Sequence, residues 1–263
     1  MSLLLLDLGN TRLKWGLWRD DRLTANGAVA QQGIETLAES LRESCAAHER
    51  IDAAIGCAVA GVLPTARVET QLEQVGLRCQ WIHSLPQQCG VRNGYTHPGM
   101  LGADRWAALI GARARHADEP VLIISVGTAV TIDCLAADGR FLGGVILPGF
   151  GLMLRALEMG TAGLNVPEGD LREFPNNTSD ALMTGGALAI AGAARQMRER
   201  LRRVEGREPK VLLTGGAAPK LELALGLKHV TVEHLVFDGL LRIAEQRGLL
   251  APAARGAAAD AQP

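Results

Sequence analysis

One short pattern occurs twice in this sequence, once at its start and once near its middle. Residues 3–11 are LLLLDLGNT and residues 121–129 are VLIISVGTA, and the two segments align without a gap. In each, an apolar run typical of a buried strand leads into a glycine and a polar turn, after which a second strand is predicted to return. Because two halves of the chain begin with the same strand and hairpin, we predict an α/β protein made of duplicated domains.

Two domains also agree with the length of the chain, which is 263 residues. The segment Asp118-Glu119-Pro120 interrupts the apolar pattern just before the second copy. We therefore predict an N-terminal domain over residues 1–118 and a C-terminal domain over residues 119–250. Residues 251–263 are rich in alanine without a helical apolar face, so we expect a disordered tail.

Helices and strands are predicted to alternate within each half. Helical spacing of apolar residues predicts helices over 33–47, 64–75, 102–117, 150–159, 179–204 and 219–225, and a last helix ending near 247. Short apolar runs predict further strands over 53–59, 79–82, 129–136, 210–214 and 229–233, and one that ends at 147.

Charge and cysteine content exclude several classes of function. The formal net charge is -1, which is not the strongly basic balance of a nucleic-acid-binding protein. The five cysteines are odd in number and contain no C-x-x-C pair, as expected of reduced thiols. The apolar run 3–6 is too short to span a membrane and no basic segment precedes it. We therefore expect a cytoplasmic protein without a nucleic-acid or membrane partner.

Polar residues after the first predicted strand are suited to binding phosphate. Gly9 lets the backbone approach a polyanion, and Asn10 and Thr11 offer hydrogen-bond donors. Lys14 adds a positive charge, and Asp7 can organise Mg²⁺ through its water shell. The same residues are also compatible with an ordinary hairpin, so this segment by itself predicts little.

Two later segments strengthen the prediction of a nucleotide site. The second copy repeats the glycine and a hydroxyl at residues 127–128, and Thr-Gly-Gly follows another predicted strand at residues 214–216. Neither a P-loop G-x-x-x-x-G-K-[ST] nor a Rossmann G-x-G-x-x-G occurs. The joint occurrence of these segments predicts a nucleotide cleft between the two domains, in a fold other than those two.

Five motifs along the chain resemble, in order and spacing, the successive motifs of type III pantothenate kinases. They are D-x-G-N-T-x-x-K at 7–14, G-A-D-R at 102–105, G-T-A-x-T-x-D at 127–133, G-G-x-I-x-P-G at 143–149 and T-G-G at 214–216. The resemblance extends from about residue 3 to residue 245. It implies an acetate-and-sugar-kinase/Hsp70/actin-like fold with duplicated, ribonuclease H-like domains, and a homodimer. It also implies ATP-dependent phosphorylation of pantothenate to 4′-phosphopantothenate, the first step of coenzyme A biosynthesis.

The resemblance assigns residues to both substrates. For ATP it implies Asp7, Leu8, Gly9, Asn10, Thr11, Arg12, Leu13, Lys14, Thr128 and Gly215, with Mg²⁺ held at Asp7 through water. For pantothenate it implies Tyr95, Gly102, Ala103, Asp104, Arg105 and Thr178, with Asp104 as the catalytic residue. Two of these have simpler alternatives, since Tyr95 is also typical of a half-buried loop aromatic and Thr178 of a residue at a helix cap.

The chemistry of the reaction supports the roles of two adjacent residues. Pantothenate offers a primary hydroxyl for phosphorylation and a carboxylate for binding, so its site needs a proton acceptor and a fixed cation. Asp104 supplies the acceptor and Arg105 the cation, since an arginine binds a carboxylate in bidentate fashion. The alternative is that Asp104 caps a helix and Arg105 forms a surface ion pair.

Ser125 departs from the family pattern. The resemblance implies an aspartate there, as a ligand of an activating potassium or ammonium ion, whereas this sequence has a serine. A neutral hydroxyl is a poorer cation ligand than a carboxylate. We therefore expect monovalent-cation activation to be weak or absent.

Two other functions fit parts of the sequence. One is a non-catalytic nucleotide-binding regulator that acts in transcription, for which the arginine-rich segment 195–207 would be the contact surface. The other is a kinase for a different small hydroxy acid. The presence of both Asp104 and Arg105 favours a kinase over the regulator.

Overall fold

The structure, a computed structural model, describes residues 1–44, 50–160, 167 and 169–250. The predicted tail and the end of the first predicted helix, residues 45–47, lie outside this part of the chain. The chain divides into two compact units. Unit 1 comprises residues 1–82 together with the chain from residue 240 onward, and unit 2 comprises residues 83–239.

Unit 1 is built on a five-stranded sheet of order β3-β2-β1-β4-β5. Its strands are β1 (Ser2–Leu8), β2 (Arg12–Arg19), β3 (Arg22–Ala30), β4 (Ala53–Ala58) and β5 (Cys79–Trp81). The first three are antiparallel neighbours, whereas β4 is parallel to β1 and β5 is parallel to β4. Strand β1 is paired on both edges and its residues 3–6 are fully buried, as its unbroken apolar run predicts.

Two helices pack against this sheet, namely α1 (Leu37–Ser44) and α2 (Val62–Glu73). Leu41, Val68 and Leu72 join the leucines of β1 in one apolar cluster. The first helix was predicted to begin at Gly33, but Gly33 belongs to a 3-10 turn and has non-helical backbone angles of φ -109° and ψ 24°. The α-helix therefore begins later, at residue 37.

Strand β3 is a feature that the sequence reading missed. Its side chains alternate between half-buried and exposed. The strand therefore lacks the continuous run of apolar residues that marks β1. The turn before it is formed by Asp20 and Asp21, which both have positive φ, at 49° and 56°. Two adjacent aspartates are a recognisable signal for such a hairpin turn, because aspartate tolerates the left-handed region better than most residues.

Unit 2 is built on a second five-stranded sheet, of order β10-β9-β8-β11-β12. Its strands are β8 (Val121–Val126), β9 (Ala129–Leu135), β10 (Phe141–Pro148), β11 (Lys210–Thr214) and β12 (Val230–Thr231), and a small hairpin, β6 (Gln87–Gln88) and β7 (Val91–Arg92), precedes them. Strands β8 to β10 are antiparallel, and β11 is parallel to both β8 and β12. The fully buried residues Ile124, Ile190 and Leu213 show that α5 packs onto this sheet.

The helices of unit 2 are α3 (Ala103–Arg115), α4 (Phe150–Gly160), α5 (Thr178–Glu205) and α6 (Ala218–Leu225), and α7 (Leu235–Gln246) begins in this unit. Helices α3 and α7 touch at two glycines. A Cβ atom on Gly239 would lie 1.8 Å from the carbonyl oxygen of Ala107, and one on Gly111 would lie 2.3 Å from that of Leu235. This close contact fixes the position of α3.

The two sheets confirm the predicted duplication. Each has a three-stranded antiparallel part followed by two parallel strands, and the first strand of each hairpin occupies the centre. The predicted division at residue 118 falls inside unit 2, since α3 packs on β7, β8 and β9 of that unit. The helix and strand predictions otherwise agree with the structure to within a few residues at each end.

Candidate active site

The first hairpin of unit 1 presents its polar residues at an exposed tip. The N–H group of Gly9 donates to the carbonyl oxygen of Arg12 at 3.0 Å, which closes the turn. Asn10, Thr11 and Arg12 are exposed there, while Asp7 and Lys14 face each other across the strands and are half-buried. The hairpin therefore brings together the groups that the sequence predicted for a phosphate site.

Two residues of this hairpin do not present their side chains at its exposed tip. The side chains of Leu8 and Leu13 are fully buried in the core of unit 1. Only their backbone groups are therefore left to contact a ligand. Cys57 of β4 lies beside Asp7, and its thiol donates to the Asp7 carboxylate oxygen Oδ1 at 3.5 Å.

The second hairpin, in unit 2, has the same turn. The N–H group of Gly127 donates to the carbonyl oxygen of Ala129 at 3.0 Å, and Thr128 is exposed at the tip. The turn at Gly215 lies directly on this hairpin, because Ala217 N–H donates to the Val126 carbonyl oxygen at 3.0 Å. Gly215 has a φ of +100°, and a Cβ atom there would lie 2.3 Å from the same oxygen. Two segments predicted to bind ATP are thus in contact.

Ser125 stands beside two other hydroxyl residues. It is opposite Thr131 of β9 on one side and opposite Thr214 of β11 on the other. The matching position in unit 1 is Asp7, whose cross-strand partner is Lys14. A charged pair in one hairpin thus corresponds to neutral hydroxyls in the other.

Asp104 lies in the first turn of α3. The N-cap of that helix is Gly102, without a side-chain cap bond, so Asp104 is not the N-cap. Its Oδ1 accepts a hydrogen bond from the backbone N–H of Arg105 at 2.8 Å. Burial raises the pKa of the Asp104 carboxyl, and the Arg105 N–H and guanidinium oppose only part of the rise. A carboxylate of this kind is a stronger base than an exposed one.

Arg105 is not a surface residue. Its Nε donates to Asp133 Oδ2 at 3.1 Å, its Nη2 donates to Asp133 Oδ1 at 2.5 Å, and its Nη1 donates to the Tyr95 hydroxyl at 2.8 Å. Burial lowers the pKa of the guanidinium, but the hydrogen bonds and charge of Asp133 outweigh burial, and Tyr95 adds to them. The pKa of Arg105 is therefore raised and the group stays charged.

Asp133 is the residue of this cluster that the sequence reading did not select as a site residue. Its side chain is only 2% exposed, on a β-strand that is otherwise apolar around it. Burial raises its pKa, and the hydrogen bonds and charge of Arg105 oppose that rise. The signal was present, because a carboxylate inside an apolar strand requires a partner. The identity of that partner depends on the tertiary structure.

The remaining predicted substrate residues lie at two places in unit 2. Gly102 and Ala103 begin α3 next to Asp104, and Tyr95 contacts Arg105. Thr178 is an exposed residue at the start of α5, after the N-cap Asn177. Among the described residues, no hydrogen bond joins Thr178 to Asp104 or Arg105. Asp104, Arg105 and Tyr95 thus form a cluster, and Thr178 stands apart from it.

Within the described ranges, no three or more His, Cys, Asp and Glu side chains are grouped so as to hold a metal ion. No helix in the same part of the chain is long and apolar enough to cross a membrane.

Comparison with known proteins gives concordant results. The sequence model of the family described as type III pantothenate kinase matches residues 3–200. The type III pantothenate kinase of Leptothrix cholodnii is 51% identical over 259 residues, which cover 94% of this chain and 98% of that protein. The corresponding protein of a Polaromonas species is 49% identical, over 94% of this chain and 99% of its own.

A solved structure shows the same fold. A candidate Baf family transcriptional activator from Campylobacter jejuni superposes with a TM-score of 0.59 at 20% identity, over 94% of this chain and 100% of that one. This likeness confirms the actin-like, duplicated α/β fold that was predicted. With the family model matching most of the sequence and relatives identical at about half of the aligned positions, the chain belongs to the type III pantothenate kinase family.

Proposed function

We propose that this chain transfers the γ-phosphoryl group of ATP to the primary hydroxyl of pantothenate, with Asp104 as the base. The observation that carries this proposal is the half-buried Asp104 carboxylate with a raised pKa, followed in α3 by Arg105, whose guanidinium is held by Asp133 and Tyr95. Membership of the family supports the choice of substrates. The product is 4′-phosphopantothenate, on the route to coenzyme A.

Asp104 would act on the hydroxyl of the acceptor. Its carboxylate accepts the hydroxyl proton while the hydroxyl oxygen forms a bond to the γ-phosphorus, and the bond from that phosphorus to the bridging oxygen of ADP breaks. Because such a transfer depends mainly on positioning and charge neutralisation, the surrounding residues contribute by holding the acceptor in place. Arg105 and Tyr95 are suited to this task, since Arg105 follows Asp104 in α3 and its guanidinium is hydrogen-bonded to the Tyr95 hydroxyl.

Each of the two hairpins, taken by itself, is suited to bind phosphate groups of ATP with Mg²⁺. Each tip is exposed and combines a glycine with amide or hydroxyl side chains, as in Gly9 with Asn10 and Gly127 with Thr128. Glycine turns of this kind let backbone N–H groups approach phosphate oxygens. Asp7 would hold the water shell of Mg²⁺, which neutralises triphosphate charge when bound. Gly215 would lie against the nucleoside, as the family resemblance implies.

The structure weakens the case for the regulator. Two of the arginines of α5 that would form a basic surface are paired with carboxylates of the same region. Arg202 is paired with Glu199 at 2.7 Å, and Arg198 is paired with Glu208. These two ion pairs reduce the positive charge that the helix could offer to nucleic acid. A kinase for another hydroxy acid remains the second candidate, because Asp104 and Arg105 would serve any acceptor with a hydroxyl and a carboxylate.

A cytoplasmic location is part of the proposal. Cys79 and Cys134 are free thiols, which suits a reducing compartment. Burial raises the pKa of Cys134 to about 12, and it also raises the pKa of Cys79. Both therefore stay protonated and unreactive at neutral pH.

The direct test is an assay of purified protein with ATP, Mg²⁺ and pantothenate, in parallel with a panel of other hydroxy acids. Asp104→Asn should lower kcat by about 100- to 10,000-fold, because the amide cannot accept the proton. The exposed Asp118→Asn is the matched control and should leave kcat unchanged. Phosphorylation of a different hydroxy acid in preference to pantothenate would refute the substrate, and near-normal turnover of Asp104→Asn would remove this residue from the mechanism.

The pH dependence gives an independent test of the base. Asp104 works when deprotonated, and its pKa in the folded protein is raised above the ordinary value of 3.8. As pH falls, kcat/KM should therefore decline through a midpoint above 3.8, and this decline should be absent from the residual activity of Asp104→Asn. An acid limb that persists unchanged in the variant would assign the titration to another group.

The hydroxyl residues around Ser125 affect how strongly a monovalent cation can bind there. Ser125, Thr131 and Thr214 provide neutral oxygens, which offset the dehydration of a cation less well than a carboxylate does. The serine also removes a negative charge from the hairpin predicted to bind triphosphate, so an ion is less needed there. We propose that this enzyme depends little on potassium or ammonium.

Activity in a buffer without potassium should therefore stay within a few-fold of that with potassium. Ser125→Asp should increase the dependence, because it restores a carboxylate ligand, whereas Ser125→Ala serves as a control that removes only the hydroxyl. The measurement is initial rate against potassium concentration at constant ionic strength. Steep activation of the unaltered protein by potassium would contradict this proposal and leave the kinase assignment intact.

A homodimer is also proposed, on the basis of an apolar surface in unit 2. Helix α4 contacts α5 and β10, yet Phe150 is its only buried residue. Large apolar side chains of this region remain exposed, including Met159 at 89%, Ile146 at 62% and Leu188 at 53%. An exposed apolar area on contiguous elements is typical of a protein interface.

Sedimentation equilibrium of the unaltered protein should give twice the mass of one chain. Leu188→Glu should shift the equilibrium to the monomer, because a charge in an apolar interface is left without a partner. Leu223→Glu, at a side chain that is 88% exposed on α6, is the control and should remain dimeric. A monomeric unaltered protein would rule out the dimer.

A further inference from the structure

The ion pair between Arg105 and Asp133 is unusual in its burial. The Asp133 side chain is 2% exposed and the Arg105 side chain is 7% exposed. Removing two charges from water is costly, and a buried pair often stabilises a protein no better than apolar residues of the same size. A contribution to stability is therefore a weak explanation for this pair, and its geometry indicates another role.

Asp133 occupies one edge of the guanidinium. An arginine has five N–H groups, and here Nε and one N–H of Nη2 donate to the two carboxylate oxygens of Asp133. A third N–H, on Nη1, donates to the Tyr95 hydroxyl. Within the described part of the chain, this leaves one N–H on Nη1 and one on Nη2 for a ligand. Because Asp133 occupies one edge of the guanidinium, a substrate can contact Arg105 only through the remaining N–H groups of Nη1 and Nη2.

The surroundings prevent the pair from rearranging. A Cβ atom on Gly144 would lie 2.1 Å from Asp133 Oδ1 and 3.0 Å from Arg105 Nη2, so only a glycine leaves room for them. The hydroxyl of Thr131 also hydrogen-bonds the carboxylate. The guanidinium carbon lies 5.6 Å from the centre of the Tyr95 ring and 5.7 Å from that of Phe141. The guanidinium is thus held in one orientation.

Arg105 in turn orients Tyr95. The Tyr95 ring stacks on Phe141 with centroids 5.6 Å apart, which fixes the ring plane. Because Nη1 donates to the phenol oxygen, the phenol proton has to be given to a different acceptor. Tyr95 is therefore oriented to act as a hydrogen-bond donor beside Arg105.

We propose that Asp133 is a positioning residue for the acceptor substrate: it fixes Arg105, and through it Tyr95, so that their remaining donors recognise the substrate carboxylate. The inference rests on the proposed function, since it deepens the account of the same site. A carboxylate is the group that several fixed N–H and O–H donors bind best. Asp133 itself does not touch the substrate, so its loss should affect recognition of the carboxylate more than any other property.

The test compares two acceptors that differ at one group. Pantothenol has a hydroxymethyl group in place of the carboxylate of pantothenate and keeps the acceptor hydroxyl. Dissociation constants for both are measured by calorimetry in the presence of a non-hydrolysable ATP analogue, so that no turnover is required. Asp133→Asn should reduce the preference for the acid over the alcohol by about 10- to 100-fold, the usual effect of a hydrogen bond to a charged group. Affinity for the nucleotide analogue should be unchanged.

Two further variants separate positioning from folding. Asp138→Asn is the matched control, because Asp138 also pairs with arginines, namely Arg92 and Arg140, but at an exposed turn. It should keep the acid preference. Gly144→Ala retains both charges and displaces the Asp133 carboxylate by the added methyl group. It should lose the preference as Asp133→Asn does, and it serves if Asp133→Asn fails to fold.

The possible results distinguish failure of the positioning role from failure of the proposed function. An acid preference that survives in both Asp133→Asn and Gly144→Ala would overturn the positioning role, as would an equal loss of affinity for acid and alcohol. In either case the unaltered protein would still phosphorylate pantothenate, so the proposed function would stand. Failure of the unaltered protein to phosphorylate pantothenate would instead contradict the proposed function.

Discussion

The central strand of each sheet has to satisfy its backbone hydrogen bonds on both edges. Strands β1 and β8 are buried along most of their length, so water cannot serve as a partner for their N–H and C=O groups. Each therefore pairs with a returning strand on one edge and a parallel strand on the other. This arrangement brings the glycine turn and the end of the parallel strand to the same end of the sheet. The polar residues of both hairpins stand at that end for this reason.

The two hairpins have the same backbone and different chemistry. In unit 1 the second-to-last residue of the central strand is Asp7, opposite Lys14, whereas in unit 2 it is Ser125, opposite Thr131. The charged pair suits a metal and a phosphate, and the hydroxyl pair suits neutral hydrogen bonding. A duplicated scaffold thus supplies two glycine turns, of which only the first carries charge at this position.

Burial of charge is concentrated around α3. Asp104 has a raised pKa because its carboxyl group is buried. Arg105 remains charged because its guanidinium forms a buried ion pair with Asp133. The close contact of α3 with α7 at Gly111 and Gly239 fixes the helix that carries both residues. The same helix thus presents a carboxylate of raised pKa and a charged guanidinium in adjacent positions. The carboxylate of Asp133 holds the guanidinium in one orientation.

The sequence by itself determined the repeated strand and hairpin, most helices, and the motifs that identify the family, because each is written in local patterns of apolar residues, glycines and polar turns. It also selected Asp104, Arg105 and Tyr95, and their clustering agrees with that selection. Only the tertiary structure decided that Arg105 pairs with Asp133, that Gly215 lies on Val126, and where the chain divides into units. These contacts join residues distant in sequence, so their partners follow from how strands and helices pack and not from any local pattern.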